Sequence, residues 1–193
     1  MNLLTEALPS AVEIGGQEWP LETDFRAALR VLMAFEDPEL TGAERVGVLL
    51  ANLYPEPPAD LQRALALGMR FLDGDTPGSD EPGPRLFSFE KDGALIFAAF
   101  RQTHGIDLET AELHWWKFLA LFMDLGADTA FCQLVGLRKR VKSGRATREE
   151  RQAAREMGEA FVIAEPDRRS ADERTQEAEF LRLVAEAQER RAQ

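Results

Sequence analysis

The spacing of apolar positions changes near residue 23. Residues 11–14 alternate apolar and polar side chains, Gly15 and Gly16 suit a tight turn, and residues 18–21 can form the returning strand. This pattern favours a β-hairpin in which Pro20, which has no N–H to donate, lies at an edge or an end. After residue 23, apolar side chains recur every three or four positions, the spacing of an amphipathic helix. The chain is therefore expected to be mainly α-helical after one short hairpin.

Capping signals divide the helical part into segments. Thr23 or Asp24 is expected to begin the first helix, which ends at Asp37-Pro38, and the capping box from Thr41 to Glu44 begins the second. Gly105 is expected to end one helix and Asp107 to cap the next. Besides the first two, the predicted helices span about 59–73, 90–104, 108–125, 127–142, 148–163 and 171–190.

One segment is rich in residues that oppose regular structure. Residues 74–84 contain three prolines, three glycines and three acids, so we expect a mobile loop at about 74–86 that lies inside a domain. The predicted organisation is a bundle-like helical domain over 1–165, which includes the hairpin, followed by a helical extension over 166–193.

The aromatic residues are concentrated in the second half of the helical part. Residues 97–122 contain two of the three tryptophans and four of the twelve phenylalanines. On a helical wheel, Trp115 is surrounded by apolar neighbours over most of the circumference, which is typical of a buried helix. The predicted core, part of which could also face a partner groove, consists of Phe97, Phe100, Trp115, Trp116, Phe118 and Phe122.

The same segment holds both histidines of the chain, which raises the question of catalysis. His104 and His114 do not form an H-E-x-x-H pattern, they fall on different predicted helices, and a metal site needs three or four ligands. Cys132 lies in an apolar helical turn with no general base nearby, and no glycine-rich phosphate-binding motif occurs. We therefore expect both histidines to be structural, and we predict no catalytic, metal or cofactor site.

The net charge limits the classes of partner. The chain carries a net charge of −11, and most of it lies in residues 1–92, which have 17 acidic and 7 basic side chains. Such a protein is not expected to bind nucleic acid over a broad surface, because phosphate contacts dominate that affinity. No apolar run reaches the length of a membrane span and no secretory signal is visible, so we expect a cytoplasmic protein.

Two segments are candidates for binding a partner. The basic run over 138–151 has three interpretations: a solvated helix end, a contact with an acidic protein surface, or a nucleic-acid contact. The last predicted helix carries a short apolar stripe that could dock on its own domain or bind a partner as a helix in a groove. The candidate partner-binding residues are Arg138, Arg140, Lys142, Phe180, Leu183 and Val184.

Several of these segments together resemble a known family. The segments are Thr23-Asp24-Phe25-Arg26, residues 96–102, Gly105-Ile106-Asp107-Leu108 and Leu113-His114-Trp115-Trp116-Lys117-Phe118. Together they are similar to the phage "gene product fifteen" family of phages and prophages of Gram-positive hosts, over about residues 8–160. The resemblance supplies no catalytic residues.

The resemblance implies a non-enzymatic role in the assembly of a phage tail. Genes of this family typically lie between those for the major tail protein and the tape-measure protein, where tail assembly chaperones are encoded. The implied partners are the tape-measure protein, the major tail protein and a second copy of the chain. Two alternatives stay open: a structural tail or connector component of the virion, and a small regulator that binds nucleic acid.

Overall fold

The computed structural model describes residues 3–75 and 84–163 of the 193-residue chain. It begins with the predicted hairpin, in which β1 (Ala11–Ile14) pairs antiparallel with β2 (Gln17–Pro20) so that Ala11 lies opposite Pro20. Gly15 and Gly16 have φ values of 62° and 78°, which a two-residue hairpin turn with positive φ at both positions requires. Pro20 is the last residue of its strand, where the missing N–H costs no ladder hydrogen bond.

The rest of the described structure is helical, which confirms the predicted mainly α fold with a hairpin. The seven helices among the described residues are α1 (Phe25–Glu36), α2 (Gly42–Leu53), α3 (Leu61–Leu72), α4 (Gly93–His104), α5 (Trp115–Met123), α6 (Ala130–Lys142) and α7 (Arg148–Met157), with a 3₁₀ turn at Gly158–Ala160. The predicted extension over 166–193, with its helix, and most of the predicted 74–86 loop lie outside the described residues.

Local capping signals place several of the helix ends correctly. Asp24 caps α1 by accepting from the Arg26 N–H at 2.9 Å, and complete capping boxes begin α2 at Thr41 and α7 at Thr147. In each box the backbone N–H of the threonine donates to a glutamate three residues later, which lowers the pKa of Glu44 and of Glu150. Gly105, with φ of 68°, ends α4 as expected.

The helix predicted over 108–125 is wrong in its first half, because α5 begins only at Trp115. Asp107 does not cap α5; its carboxylate accepts from the Glu109 N–H within a tight turn. The Arg26 guanidinium of α1 donates to three carbonyl oxygens of this turn, at Leu108 (2.6 Å), Glu109 (3.0 Å) and Ala111 (3.2 Å). A contact from a distant helix thus holds residues 108–111 outside α5.

Two further boundaries differ from the predictions. Thr129 caps α6 by accepting from the Cys132 N–H at 3.2 Å, so α6 begins at residue 130 and not at 127. The helix α7 ends at Met157 instead of continuing to 163, because Gly158 adopts φ of 56° and ψ of −129°, a conformation that is open essentially to glycine alone. The chain turns back there towards α6.

The core is built around a stack of aromatic rings at α5. Phe118 is fully buried, and its ring lies 4.9 Å from those of Phe25 on α1 and Phe100 on α4, with nearly parallel planes, and 5.5 Å from Trp115. Nearby, Gly68 of α3 lets the Leu49 side chain of α2 approach, since a Cβ there would lie 2.9 Å from Leu49 Cδ2. The stack joins α1 to α4 and α5, which come much later in the sequence.

One of the six predicted core residues does not belong to the core. Phe100, Trp115, Trp116, Phe118 and Phe122 are all buried, whereas Phe97 is 40% exposed. Residues 96, 99 and 100 define the buried face of α4, and position 97 lies about 100° away from Ile96 around the helix. The amphipathic periodicity of α4 therefore overrides the aromatic character of Phe97.

Candidate functional site

The segments that carry the family resemblance meet at the junction of α1 and α5. Asp24 and His114 form an isolated antiparallel bridge, in which the Phe25 N–H donates to the Leu113 carbonyl at 3.0 Å and the Trp115 N–H donates to the Thr23 carbonyl at 2.7 Å. Both helices therefore begin at the same place in the fold. The shared start explains why the segments around Asp24 and His114, 90 residues apart in the chain, both belong to the pattern that resembles the family.

His114 supplies the cap of α5. Its Nδ1 accepts from the Trp116 N–H at 3.0 Å, and its Nε2 donates to the Pro9 carbonyl at 2.9 Å. These two partners match the tautomer that carries its ring proton on Nε2. Histidine is an unusual residue at an N-cap, so local capping preferences gave no signal for it.

His104 is held in a comparable way at the end of α4. Its Nε2 lies 2.9 Å from the Leu121 carbonyl oxygen of α5 and donates to it, and its ring packs edge-on against Phe100. Among the described residues, no group of three or more His, Cys, Asp or Glu side chains is arranged to hold a metal ion. Both rings thus make contacts that join elements of the fold.

The two tryptophans next to His114 donate hydrogen bonds to the C-terminal end of a third helix, α3. Their indole Nε1–H groups donate to the last two carbonyls of α3, Trp115 to Leu72 at 2.9 Å and Trp116 to Phe71 at 2.8 Å. Carbonyls at a helix C-terminus have no partner within the helix. The adjacent tryptophans therefore fill the core and cap α3, a role that local sequence patterns do not indicate.

The basic run over 138–151 does not form one surface in the structure. Arg138 is buried, which corrects its prediction as a residue that binds a partner. The Arg138 side chain is 1% exposed and forms a two-fold ion pair with Asp92, itself 3% exposed, with N···O distances of 2.6 and 3.0 Å. Its N–H groups also donate to the carbonyls of Leu86 (3.2 Å), Ala160 (2.8 Å) and Phe161 (2.9 Å). All of its donor positions face acceptors inside the protein.

A sequence signal for this burial exists. Phe131, Leu134 and Arg138 stand at i, i+3 and i+7, and they are the three buried residues of α6. An arginine in register with an apolar stripe faces the core, whatever the charge of its neighbours in sequence. The basic neighbours of Arg138 conceal this register in the sequence.

The two other candidate cations of the run also have partners within the protein. Arg140 pairs with Glu150 of α7 at 2.8 Å and stays 48% exposed, and Lys142 donates to the Arg85 carbonyl at 2.7 Å. The candidate partner residues Phe180, Leu183 and Val184 lie outside the described residues.

An open groove adjoins the buried ion pair. One face of α7, formed by Arg151, Ala154 and Arg155, lies beside Val141 of α6 and the segment 158–162. The groove has a volume of about 930 Å³, and most of its lining surface is apolar. Val162, at its edge, is 57% exposed. Sequence periodicity gave no sign of this groove, because the segment that completes it is not helical beyond residue 160.

The groove is held in shape by cations from two directions. Arg138 holds the carbonyls of Ala160 and Phe161 from within, and Lys91 Nζ donates to the Val162 carbonyl at 3.0 Å. Basic side chains at the edge outnumber acidic ones, with Lys91, Arg151 and Arg155 against Glu159. This arrangement suits an amphipathic helix whose apolar stripe is flanked by acidic residues.

No described helix combines the length and the apolar character that crossing a membrane requires. A family model for the "Bacteriophage Gp15 protein" matches residues 4–163, a span that includes the hairpin, all seven described helices and the groove. No curated protein and no solved structure matches the chain.

Proposed function

The chain belongs to the bacteriophage Gp15 family, and from this premise we propose that it is a non-enzymatic tail assembly chaperone that binds the tape-measure protein. The groove beside α7 takes an amphipathic helical segment of that protein. Binding keeps the long client soluble until tail-tube protein polymerises around it.

The observation that carries the proposal is the open, mainly apolar groove with a basic edge. A chaperone must expose apolar surface to its client, and a groove with a polar edge permits release better than one large dry interface.

The charge of the chain supports the same role. A net charge of −11 at neutral pH opposes self-aggregation of a protein that exposes apolar surface, and it keeps a complex with an insoluble client in solution. The basic edge of the groove is a local exception to the acidic character of the chain. It directs an acidic amphipathic segment to this place.

Co-expression with the tape-measure protein tests the proposal. We expect the soluble fraction of the tape-measure protein to rise with this chain and the two proteins to co-purify. Val162→Asp should weaken the complex about tenfold by placing a charge at the apolar edge. Met123→Asp is the matched control, since it adds the same charge to an exposed apolar position on α5, and it should leave binding unchanged.

Two outcomes would count against the chaperone. An equally insoluble tape-measure protein with and without the chain refutes it, and stoichiometric amounts of the chain in purified virions would instead favour a structural tail component. The same co-purification reveals the other two proposed partners, the major tail protein and a second copy of the chain.

A further inference from the structure

The groove lies next to the point where the described structure stops. Val162 lines its edge, and the next residue, Ile163, is buried. Residues 164–170 can span at most about 24 Å when fully extended. Any apolar segment that begins near residue 171 is therefore tethered within reach of the groove.

The sequence that follows has the pattern of a groove ligand. Phe180, Leu183, Val184 and Ala187 stand at i, i+3, i+4 and i+7, which places them on one side of a helix. Residues 174–190 contain four acidic and three basic side chains, so the segment that carries the stripe has a net charge of −1. The groove offers the complement, an apolar lining with three basic residues and one acidic residue.

The basic edge has charge available for such a segment. Arg155, one helical turn beyond Arg151 on the same face of α7, forms no ion pair within residues 3–75 and 84–163. An acidic side chain beside the apolar stripe can pair with it at the groove edge. Charge complementarity of this kind fixes register and orientation more than it adds affinity.

We propose that residues 174–190 of the same chain occupy this groove when no partner is bound. A short tether gives an effective concentration on the order of 1 mM. Even a dissociation constant of about 0.1 mM then keeps the segment bound about nine-tenths of the time. Resting on the proposed function, this segment competes with the tape-measure protein and prevents the empty groove from binding other proteins.

Paramagnetic relaxation enhancement in the full chain tests the proposal. A nitroxide is attached at Gln188→Cys in a Cys132→Ser background, and amide signals are recorded in the ¹⁵N-labelled protein. We expect strong broadening at residues 151–162 and none at the hairpin. Val184→Asp, on the apolar stripe, should remove most of the broadening.

A matched variant isolates the apolar contact. Ala185→Asp adds the same charge one residue later on the opposite side of the predicted helix and should keep the broadening. In the groove, Val162→Asp should reduce broadening and Met123→Asp should not. Absent broadening at 151–162, or broadening that survives both Val184→Asp and Val162→Asp, overturns the proposal. Broadening that arises only between labelled and spin-labelled molecules in a mixed sample also overturns it.

The outcome does not depend on the tape-measure protein, which is absent from the sample. A segment that docks while the tape-measure protein fails to bind would support this inference and refute the chaperone. If both hold, Val184→Asp should raise the apparent affinity for the tape-measure protein about tenfold, since the competing segment is released.

Discussion

Replacing Arg138 by methionine should destabilise the fold strongly, although the residue lies in a basic, seemingly exposed run. The substitution removes five donors. Among the described residues, it leaves the Asp92 carboxylate, 3% exposed, with only the Ser88 N–H at 3.0 Å as a partner. Breaking a buried ion pair from one side costs about 3–5 kcal/mol. That is a large part of the roughly 5–15 kcal/mol by which domains are stable.

Equilibrium unfolding in urea, followed by tryptophan fluorescence and by circular dichroism, measures the loss. Arg140→Met is the matched control on the same helix, because the solvent-screened Arg140–Glu150 pair should contribute far less than the buried pair. If Arg138→Met is too unstable for a folded baseline, Arg138→Lys keeps the charge without the two-fold geometry and should show a smaller loss.

The double variant Asp92→Ala/Arg138→Met tests whether the cost comes from the orphaned charge. With both partners removed, we expect a loss smaller than the sum of the two single losses by at least about 2 kcal/mol. Equal losses for Arg138→Met and Arg140→Met, or strict additivity in the double variant, would refute the reasoning. Amide exchange at residues 158–163 should also accelerate in Arg138→Met, since Arg138 holds the Ala160 and Phe161 carbonyls.

Three further predictions concern the side chains of Trp115, His114 and Tyr54. Trp115→Phe should cost about 2–3 kcal/mol, because it removes a donor to the Leu72 carbonyl and leaves a small cavity. Trp19→Phe, whose buried Nε1 has no partner in the described part of the chain, should cost less than about 1 kcal/mol by the same urea measurement. His114→Ala should cost about 1–2 kcal/mol through loss of the α5 cap, and His114→Asn should recover part of it; equal losses would argue against the cap. Burial raises the pKa of Tyr54 to about 12. The neutral Tyr54 side chain therefore contributes its full share to the stability of the fold below about pH 10, near the pKa of tyrosine in the unfolded chain, and this contribution is lost as the pH rises from about 10 to 12. The stability difference between wild type and Tyr54→Phe, followed by fluorescence-detected unfolding from pH 8 to 12, should therefore shrink by about 2–3 kcal/mol. A difference that stays constant over this range would contradict the raised pKa of Tyr54.

Local signals were enough to predict the helices whose ends depend on nearby residues. The capping boxes at Thr41 and Thr147, the Asp24 cap and the glycine at 105 each act within one helical turn. The start of α5 could not be predicted in this way. It depends on the Arg26 side chain and on a bridge to Asp24, both contributed by a helix some 80 to 90 residues earlier.

The candidate site was harder to predict than the fold. The spacing of Arg138 with Phe131 and Leu134 indicates burial, but its acceptors come from residues 86, 92, 160 and 161 and have no local signature. The groove exists because Gly158 turns the chain back beside α7. Such a surface arises from a backbone turn and tertiary contacts, so periodicity within either helix does not reveal it.

The shared start of α1 and α5 also has a consequence for biosynthesis. Phe25 leaves the ribosome more than 90 residues before its stacking partner Phe118. At bacterial translation rates that interval is on the order of 5–20 s, far longer than a helix needs to form. The side of α1 that carries Phe25 therefore stays uncovered until α5 has been synthesised. A chain cut short before residue 118 would keep that surface exposed.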